Sequence, residues 1–290
     1  MPPTASKSRS SRAEDQPQRP VLFVNPVSGG GRAERARLPE RARERGIDVL
    51  VLRPGDDLRP LVEQAVADGA TVLGVAGGDG SLGVVASVAR AHRLPFVCIP
   101  AGTRNHFARD AGVDSEDLVA SLDALTDGVE RWIDVAEVNG RLFLNNVSLG
   151  IYGDAVSQPG YRDAKAHTLA QAAAQVLGPA APTAGLEIVD DNGEAHRDPA
   201  VVLVSNNPYS FEPPHEPGTR RALDGGQLGV VVLDRPSTTP HLVRAWTAQQ
   251  LEVQSSSPVH AGLDGEAVQL EPPLRFVIRP LVLRVLVRRP

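Results

Sequence analysis

Cysteine and lysine are nearly absent from this 290-residue chain, and both absences narrow what the protein can be. The single cysteine, Cys98, excludes an internal disulfide and a metal site built from several thiolates. Lysine occurs only at Lys7 and Lys165, so nearly all basic residues are arginines. A phosphate site must therefore use backbone N–H groups, arginine or a metal ion. No Gly-Lys-Ser/Thr sequence is present, which excludes a Walker loop.

Long apolar runs and an excess of positive charge are lacking as well. No apolar stretch approaches the roughly 20 residues of a membrane-spanning helix, and the N-terminus has no apolar signal core. We therefore expect a cytoplasmic protein without a transmembrane segment, peripheral to the inner face of a membrane if it contacts one. The net charge of −5 argues against a nucleic-acid partner. Residues 1–20, rich in serine, proline and arginine, are predicted to form a disordered tail.

Apolar segments alternate with helical patterns between residues 21 and 131. Strands are predicted at 21–24, 48–52, 71–76 and 96–99, and helices at 32–46, 57–68 and from about 81 to 91. The strands are almost continuously apolar, which predicts a parallel sheet covered on both faces. We interpret this part as an α/β nucleotide-binding domain.

The pattern changes beyond residue 131, where strands become short and turn residues frequent. Two strand patterns at 132–138 and 141–147 flank Asn139-Gly140, a strong hairpin signal. Further strands are predicted at 186–189, 200–204, 229–233 and 274–278, and helices at 164–177 and 240–251. Residues 132–280 are therefore predicted to form a β-rich antiparallel sandwich domain, and 281–290 to rejoin the first domain.

A glycine-rich loop, Gly77-Gly78-Asp79-Gly80-Ser81, follows the third predicted strand. Its backbone N–H groups and the start of the next helix suit a phosphate group. A Gly-x-Gly-x-x-Gly spacing begins at Gly78, but the acid that a dinucleotide site needs after the next strand is missing. The Asp79 carboxylate would repel phosphate unless a cation lay between them. The loop therefore predicts a nucleotide bound with a metal ion, or, more simply, a tight turn.

Two more loops would lie at the same carboxyl edge of the sheet, where open α/β sheets bind ligands. One runs from Asn25 to Gly31, and the other contains Gly102 and Arg104, a candidate phosphate clamp. In the second domain, Glu266 follows Asp264-Gly265. That segment is either an ordinary hairpin turn or the carrier of a general base that takes a proton from a substrate hydroxyl.

Together these segments resemble the diacylglycerol kinase catalytic-domain family, which includes bacterial soluble lipid kinases and sphingosine kinases. The matching segments, spread over about residues 21–289, are Asn25-Pro26-x-Ser28-Gly29, Gly77-Gly78-Asp79-Gly80-Ser81, Gly102-Thr103-x-Asn105-x-Phe107-Ala108, Asp134-x-x-x-Val138-Asn139-Gly140-Arg141-x-Phe143, Asn146-x-Ser148-x-Gly150 and Asp264-Gly265-Glu266. The resemblance implies an ATP-dependent lipid kinase with an α/β domain like that of NAD kinases, a β-rich lid, and Mg²⁺ as a second cofactor.

The resemblance also implies roles for single residues. ATP would contact residues of all three loops: Asn25, Pro26, Ser28, Gly29, Gly77, Gly78, Asp79, Gly80, Ser81, Gly102, Thr103 and Asn105. Glu266 would be the catalytic proton acceptor, and Asp79 would organise metal or phosphate. The implied partner is a lipid alcohol at a membrane surface, such as diacylglycerol, phosphatidylglycerol or a sphingoid base. A homodimer is a compatible assembly.

Four departures from the family pattern keep other functions open. Ser81 replaces threonine, His106 stands where aspartate is common, and the strand ending near residue 52 lacks a threonine that often contacts nucleotide. The fourth is in the usual Asp-Asp-Gly-x-Leu element, which here is Asp224-Gly225-Gly226-Gln227-Leu228. The second aspartate, linked in relatives to a structural Mg²⁺, is replaced by Gly225, and only Asp224 could substitute as a metal ligand.

Two alternatives to a working lipid kinase therefore remain. The first is a nucleotide- or lipid-binding protein that has lost catalysis. The second is an NAD kinase, which shares the glycine-aspartate-glycine loop but pairs it with an Asn-Glu or Asn-Asp motif. This chain instead has the doublets Asn145-Asn146 and Asn206-Asn207, with no adjacent acid.

Overall fold

The computed structural model of the chain describes residues 18–114, 116–150, 185–210, 219–234 and 243–289. Residues 1–17 of the predicted tail and the helix predicted at 164–177 lie outside the described residues. Within the described ranges, no helix has the length and apolar character needed to cross a membrane.

The helices and strands of the described residues follow one another in two stretches of different character. The helices are α1 (Arg32–Arg35), α2 (Leu38–Arg43), α3 (Leu58–Ala67), α4 (Asp79–Ala91), α5 (His106–Asp110) and α6 (Ala124–Asp127), with 3-10 helices at Ser28–Gly30 and Ala120–Asp123. The strands are β1 (Pro20–Val24), β2 (Asp48–Val51), β3 (Val72–Ala76), β4 (Phe96–Ile99), β5 (Val129–Val138), β6 (Arg141–Phe143), β7 (Asn146–Gly150), β8 (Glu187–Val189), β9 (Ala195–Arg197), β10 (Val201–Asn206), β11 (Tyr209–Ser210), β12 (Thr219–Arg220), β13 (Leu228–Leu233), β14 (Val243–Ala248), β15 (Gln250–Gln254), β16 (Val259–Leu263), β17 (Glu266–Leu270) and β18 (Leu274–Val287).

The first four strands form the parallel part of a mixed sheet, in the order β2-β1-β3-β4. Successive side chains of β1 enter different cores: Phe23 packs with Leu82 of α4, whereas Leu22 packs with Leu38 of α2. All five residues of β1 and of β3 are buried. A sheet covered on both faces needs such continuously apolar strands, so the predicted α/β architecture is confirmed.

A separate antiparallel sheet has the order β14-β13-β10-β7-β16-β17. Its Val204 and Val230 share one buried cluster with Val138 and Phe276 of the mixed sheet. The two sheets thus bury a common apolar layer, which is the packing expected of a β-sandwich. The predicted β-rich, antiparallel character of the second part is confirmed.

The long strand β18 connects the two parts of the molecule. It pairs antiparallel with β5 from Phe276 to Val287 and with β15 near its start. Near its end, Val285 pairs in parallel with Phe96 of β4. The mixed sheet therefore continues from the parallel strands into the strands that follow residue 128, and the division into domains at residue 131 stays a proposal.

Local predictions were partly right. The hairpin at Asn139-Gly140 is confirmed, because both residues have positive φ, 47° and 78°, and β5 pairs with β6. The helix predicted at 32–46 is interrupted between α1 and α2, where Arg37 has φ 50°. The helix predicted at 240–251 is wrong: from Val243 onward this segment forms β14 and the start of β15. Pairing with β13 and burial of Trp246 outweigh the helical pattern there.

Candidate active site

The three predicted loops meet at the carboxyl edge of the parallel strands through contacts that only glycine allows. A Cβ atom at Gly102 would lie 2.8 Å from the Gly78 Cα atom and 3.2 Å from the Gly77 carbonyl oxygen. A Cβ atom at Gly29 would collide with the carbonyl oxygen of Ala101. Backbone therefore packs directly on backbone, and the loops form one continuous surface.

The central loop passes straight into helix α4. Gly78 is extended, with φ −87° and ψ 176°, and its carbonyl oxygen accepts the N–H groups of Ser81 and Leu82 at 3.0 and 3.1 Å. The first N–H groups of a helix have no partner within it and carry its positive dipole end. Asp79, the first residue of α4, thus lies where an anion and a cation could be bound together.

The Asp79 carboxylate accepts a hydrogen bond from a neighbouring amide and lies near basic side chains. The Nδ2 group of Asn145 donates to its Oδ1 atom at 3.1 Å. Burial raises the pKa of Asp79, while His106, the Asn145 hydrogen bond, Arg220 and Arg104 act to lower it. The positive surroundings oppose the cost of burying the charged form.

Glu266 approaches the same helix from the second sheet. A Cβ atom at Gly80 would lie 2.9 Å from Glu266 Oε1 and 3.0 Å from its Cγ atom. The turn before it, Asp264-Gly265, has φ 48° and 84°, so the predicted Asp-Gly turn is present. The two predicted catalytic residues, Asp79 and Glu266, line one cavity of about 460 Å³.

That cavity is lined by both charged and apolar side chains. Besides Asp79 and Glu266, its lining includes three arginines and several apolar residues: Arg59, Arg90, Arg141, Val84, Leu142 and Leu263. Carboxylates beside apolar side chains suit a ligand with a hydroxyl group on an apolar body.

Asp264 lines the same cavity and also fixes the backbone around it. Its carboxylate accepts the backbone N–H groups of Leu144, Asn145 and Asn146 at 2.8, 2.7 and 3.1 Å. Burial raises the pKa of Asp264 to about 7, although the three hydrogen bonds oppose that shift. The turn that carries Glu266 is thereby fastened to the segment that carries Asn145.

Sequence reasoning missed three residues of this site: Asn145, Arg220 and Asp110. Arg220 donates from Nε to Asp110 Oδ2 at 2.6 Å and from Nη2 to Asn145 Oδ1 at 2.9 Å. In the sequence, Asn145 stands only in a doublet without the adjacent acid of the NAD kinase motif, and its neighbour Asn146 belongs to a matching motif. Arg220 carries no sequence signal, since its burial depends on strands from distant parts of the chain.

The other predicted loop residues differ in burial and in hydrogen bonding. Asn105 is 5% exposed, and its Nδ2 group donates to the carbonyl oxygens of Pro100 and Gly102 at 3.1 and 2.9 Å. Within the described part of the chain, its Oδ1 atom has no hydrogen-bond partner. Asn25 Oδ1 accepts the N–H group of its own loop at Val27, 3.2 Å away. Thr103 is exposed. The nucleotide-binding roles of these residues stay predictions.

The second predicted metal ligand, Asp224, lies elsewhere. It is exposed and lines a cavity with Asp110 and Arg131, not the cavity of Asp79 and Glu266. Among the described residues, no three His, Cys, Asp or Glu side chains come together as a metal cluster. Asp79 alone nevertheless fits Mg²⁺, because that ion keeps several waters and uses one or two carboxylates plus phosphate oxygens.

Gly225, which stands where the family pattern has an aspartate, is constrained by hydrogen bonds and close contacts. Its N–H group donates to Asn207 Oδ1 at 2.9 Å, and a Cβ atom there would lie 2.8 Å from the same oxygen. The next N–H, of Gly226, donates to the buried Asp134 at 2.6 Å. The segment is thus fixed by side chains of Asn207 and Asp134.

Comparison with known proteins shows which family this chain resembles. The profile described as "Diacylglycerol kinase catalytic domain" matches residues 19–138. Over 272 residues the chain is 31% identical to the "Probable lipid kinase YegS-like" of Pseudomonas fluorescens, covering 84% of this chain and 87% of that protein. Over 122 residues it is 36% identical to a diacylglycerol kinase of Mycobacterium tuberculosis, covering 41% of this chain and 40% of that protein.

Some matches are partial, whereas the fold matches over nearly the whole chain. Against the "Probable lipid kinase YegS-like" of Pseudomonas aeruginosa, identity is 36% over 148 residues, 50% of this chain and 48% of that protein. In such alignments the chain spans about half the length of the curated relative or less. The crystal structure of a diacylglycerol kinase from Bacillus anthracis superposes with a TM-score of 0.65 at 19% identity, covering 94% of this chain and 97% of that one.

Proposed function

The chain belongs to the diacylglycerol kinase catalytic-domain family, and we propose that it transfers the γ-phosphoryl group of ATP to the hydroxyl group of a lipid alcohol. One observation carries the proposal: the Glu266 carboxylate lies directly against Gly80 in the glycine-rich loop. A group able to accept a proton and a loop able to hold phosphates thus line the same cavity.

ATP is proposed to bind on the surface formed by the three loops. Backbone N–H groups at the start of α4 suit its phosphates, and Gly78 leaves room there, since a Cβ atom at that position would meet nothing within 4 Å. Asp79 is proposed to hold Mg²⁺, which when bound would neutralise phosphate charge. Asp224 is proposed as a second ligand only at a separate structural site.

Glu266 is proposed to take the proton from the lipid hydroxyl as that oxygen attacks the γ-phosphorus atom. The turn that carries Glu266 is anchored by the Asp264 contacts to the segment 144–146. The apolar lining residues Val84, Leu142 and Leu263 would receive the part of the lipid next to the hydroxyl. Such a substrate implies work at a membrane surface by a cytoplasmic, peripheral protein, as a monomer or homodimer.

The direct test is incubation of the full chain with labelled ATP, Mg²⁺ and a panel of lipid alcohols in mixed micelles. The panel contains diacylglycerol, phosphatidylglycerol and a sphingoid base. We expect labelled phosphate in at least one lipid. Label in none of them, from protein that is folded and binds ATP, would refute the kinase.

Replacing the proposed base, Glu266, tests catalysis separately from ATP binding. Glu266→Gln keeps the size of the side chain but removes its capacity to accept a proton, so we expect turnover to fall at least about 100-fold. ATP affinity, measured by calorimetry, should stay unchanged. Glu271→Gln, at an exposed position directly after β17, is the matched control and should retain full turnover. Equal turnover in both variants would show that Glu266 takes no part in catalysis.

A second candidate function, binding of nucleotide or lipid without catalysis, is favoured by one observation. The Asn207 side chain holds the N–H group of Gly225 and occupies the space beside its Cα atom, where relatives carry an aspartate. This alternative predicts ATP binding with no labelled lipid in the same assay. The NAD kinase alternative finds no support in the asparagine doublets, since Asn145 contacts Asp79 and Asn206 donates to the carbonyl oxygens of Asp134 and Leu144.

A further inference from the structure

A fully buried guanidinium, that of Arg220 on the two-residue strand β12, lies near the candidate active site. Its side chain is 0% exposed, and that of its partner Asp110 at the end of α5 is 2% exposed. Burying an arginine is costly unless its donors are satisfied. Here they are: Nε meets Asp110, and Nη1 meets the carbonyl oxygens of Leu144 and Asn206.

One further contact of this guanidinium fixes the orientation of an amide. Nη2 lies 2.9 Å from Asn145 Oδ1, and on the opposite side Asn145 Nδ2 lies 3.1 Å from Asp79 Oδ1. A guanidinium only donates, and an ionised carboxylate only accepts. The opposite orientation of the amide would set its NH₂ group against Arg220 and its oxygen against Asp79, so both neighbours enforce the one observed.

The backbone of Asn145 is fixed as firmly as its side chain. Its N–H group donates to Asp264 Oδ1 at 2.7 Å. The guanidinium also lies 5.8 Å from the centre of the Tyr209 ring, within cation–π range. One chain of hydrogen bonds therefore runs, donor to acceptor, from Arg220 through Asn145 to Asp79, and Arg220 also donates to Asp110.

From this chain, which rests on the proposed function of Asp79, we propose that Arg220 is a positioning residue. It fixes the Asn145 amide, and the amide in turn holds the Asp79 carboxylate so that its second oxygen is presented to the cation that accompanies the nucleotide. Arg220 does this without touching nucleotide or lipid.

The test compares Arg220→Lys, Asn145→Ala and the double variant in the full-length protein. Lysine keeps the charge but loses the planar fork that serves Asp110 and Asn145 at once. The probe is a non-hydrolysable ATP analogue, titrated calorimetrically with and without Mg²⁺. We expect both single variants to bind the analogue with Mg²⁺ about 10- to 100-fold more weakly. Affinity without Mg²⁺ should be unchanged.

The double variant separates positioning from general damage. If Arg220 acts through Asn145, the double variant binds no more weakly than either single variant. Losses that multiply, a loss that also appears without Mg²⁺, or unchanged affinity in Arg220→Lys would each overturn the proposal. Arg244→Lys is the control, because Arg244 also donates through Nε and Nη2, in its case to the carboxylate of Asp190 outside this site. It should bind as wild type does.

Two further results keep this inference distinct from the kinase proposal. If Arg220→Lys fails to fold, Asp110→Asn, which removes only the charge that anchors Nε, must show a smaller loss of the same Mg²⁺-dependent kind. An unaffected Asp110→Asn then overturns the proposal. Wild-type protein that binds the analogue with Mg²⁺ but phosphorylates no lipid refutes the kinase and leaves the Arg220 test intact. Wild-type protein without Mg²⁺-dependent binding refutes both.

Discussion

Replacing Gly80 with alanine adds one methyl group to the first turn of α4, directly beneath Glu266. The new Cβ atom would lie 2.9, 3.0 and 3.2 Å from the Oε1, Cγ and Cδ atoms of Glu266. Normal separations are about 3.5–4.0 Å, so the carboxylate must retreat by about 0.5–1 Å. The obstacle is the end of a flexible side chain and not backbone, so the protein itself should tolerate the change.

Stability and activity should therefore respond in opposite ways. Alanine is better than glycine within a helix by up to about 1 kcal/mol, so the unfolding temperature should stay the same or rise. A misplacement of about 1 Å in a catalytic group can cost about 100-fold, so we expect lipid phosphorylation to fall about 10- to 100-fold. The assays are thermal unfolding and turnover with labelled ATP.

The same helix supplies a matched control. A Cβ atom at Gly83, one turn further along α4, would meet only Asp264 Oδ2 at 3.8 Å, an ordinary contact. Gly83→Ala should therefore gain similar helix stability and lose less turnover than Gly80→Ala, because its methyl group lines the same cavity without displacing Glu266. If Gly80→Ala is as active as Gly83→Ala, the placement of Glu266 against the loop has no part in catalysis.

The remaining predictions concern the loops and one ion-pair cluster. Gly102→Ala drives a Cβ atom into the Gly78 backbone at 2.8 Å, so it should lower the free energy of unfolding by about 1–3 kcal/mol in chemical denaturation. Gly78→Ala meets no protein atom, so it should weaken ATP binding in calorimetry with unchanged stability; a stability loss would contradict this. Burial would raise the pKa of Glu137, but hydrogen bonds from Arg90 and Arg279 and their charges lower it. Its stabilisation is therefore present above the unfolded pKa of about 4.3 and lost as pH falls through the lower folded value. Glu137→Gln should flatten that acid dependence, and equal slopes would exclude the role.

The parallel part of the fold could be predicted because its signals are local. Strands β1, β3 and β4 are apolar runs bounded by turn residues, and α3 is capped at its N-terminus by Asp57, whose side chain accepts the N–H group of Arg59 at 3.1 Å. The segment that forms β14 could not be predicted in this way. Its Trp246 is buried by the neighbouring strand and the opposite sheet, and both come from distant sequence.

The same distinction between local signals and distant contacts applies to the candidate site. The glycine-rich loop and Glu266 could be predicted because chain turns and motif residues mark them in sequence. Asn145 and Arg220 could not, because their importance comes from each other: one amide between one guanidinium and one carboxylate. Asp110 is likewise an ordinary helix-end acid until Arg220 is buried against it.

Strand β18 has a consequence for how the protein reaches its native state. The parallel strand next to β4 comes from around Val285, and that same strand pairs with β5 along nearly its whole length. The parallel part of the mixed sheet thus keeps an open edge at Phe96 until residues from the opposite half of the chain arrive. Closing so long a loop slows folding, and an unpaired strand edge invites association with other chains. A fragment limited to the glycine-rich loops would consequently be prone to aggregate, however complete its binding motifs.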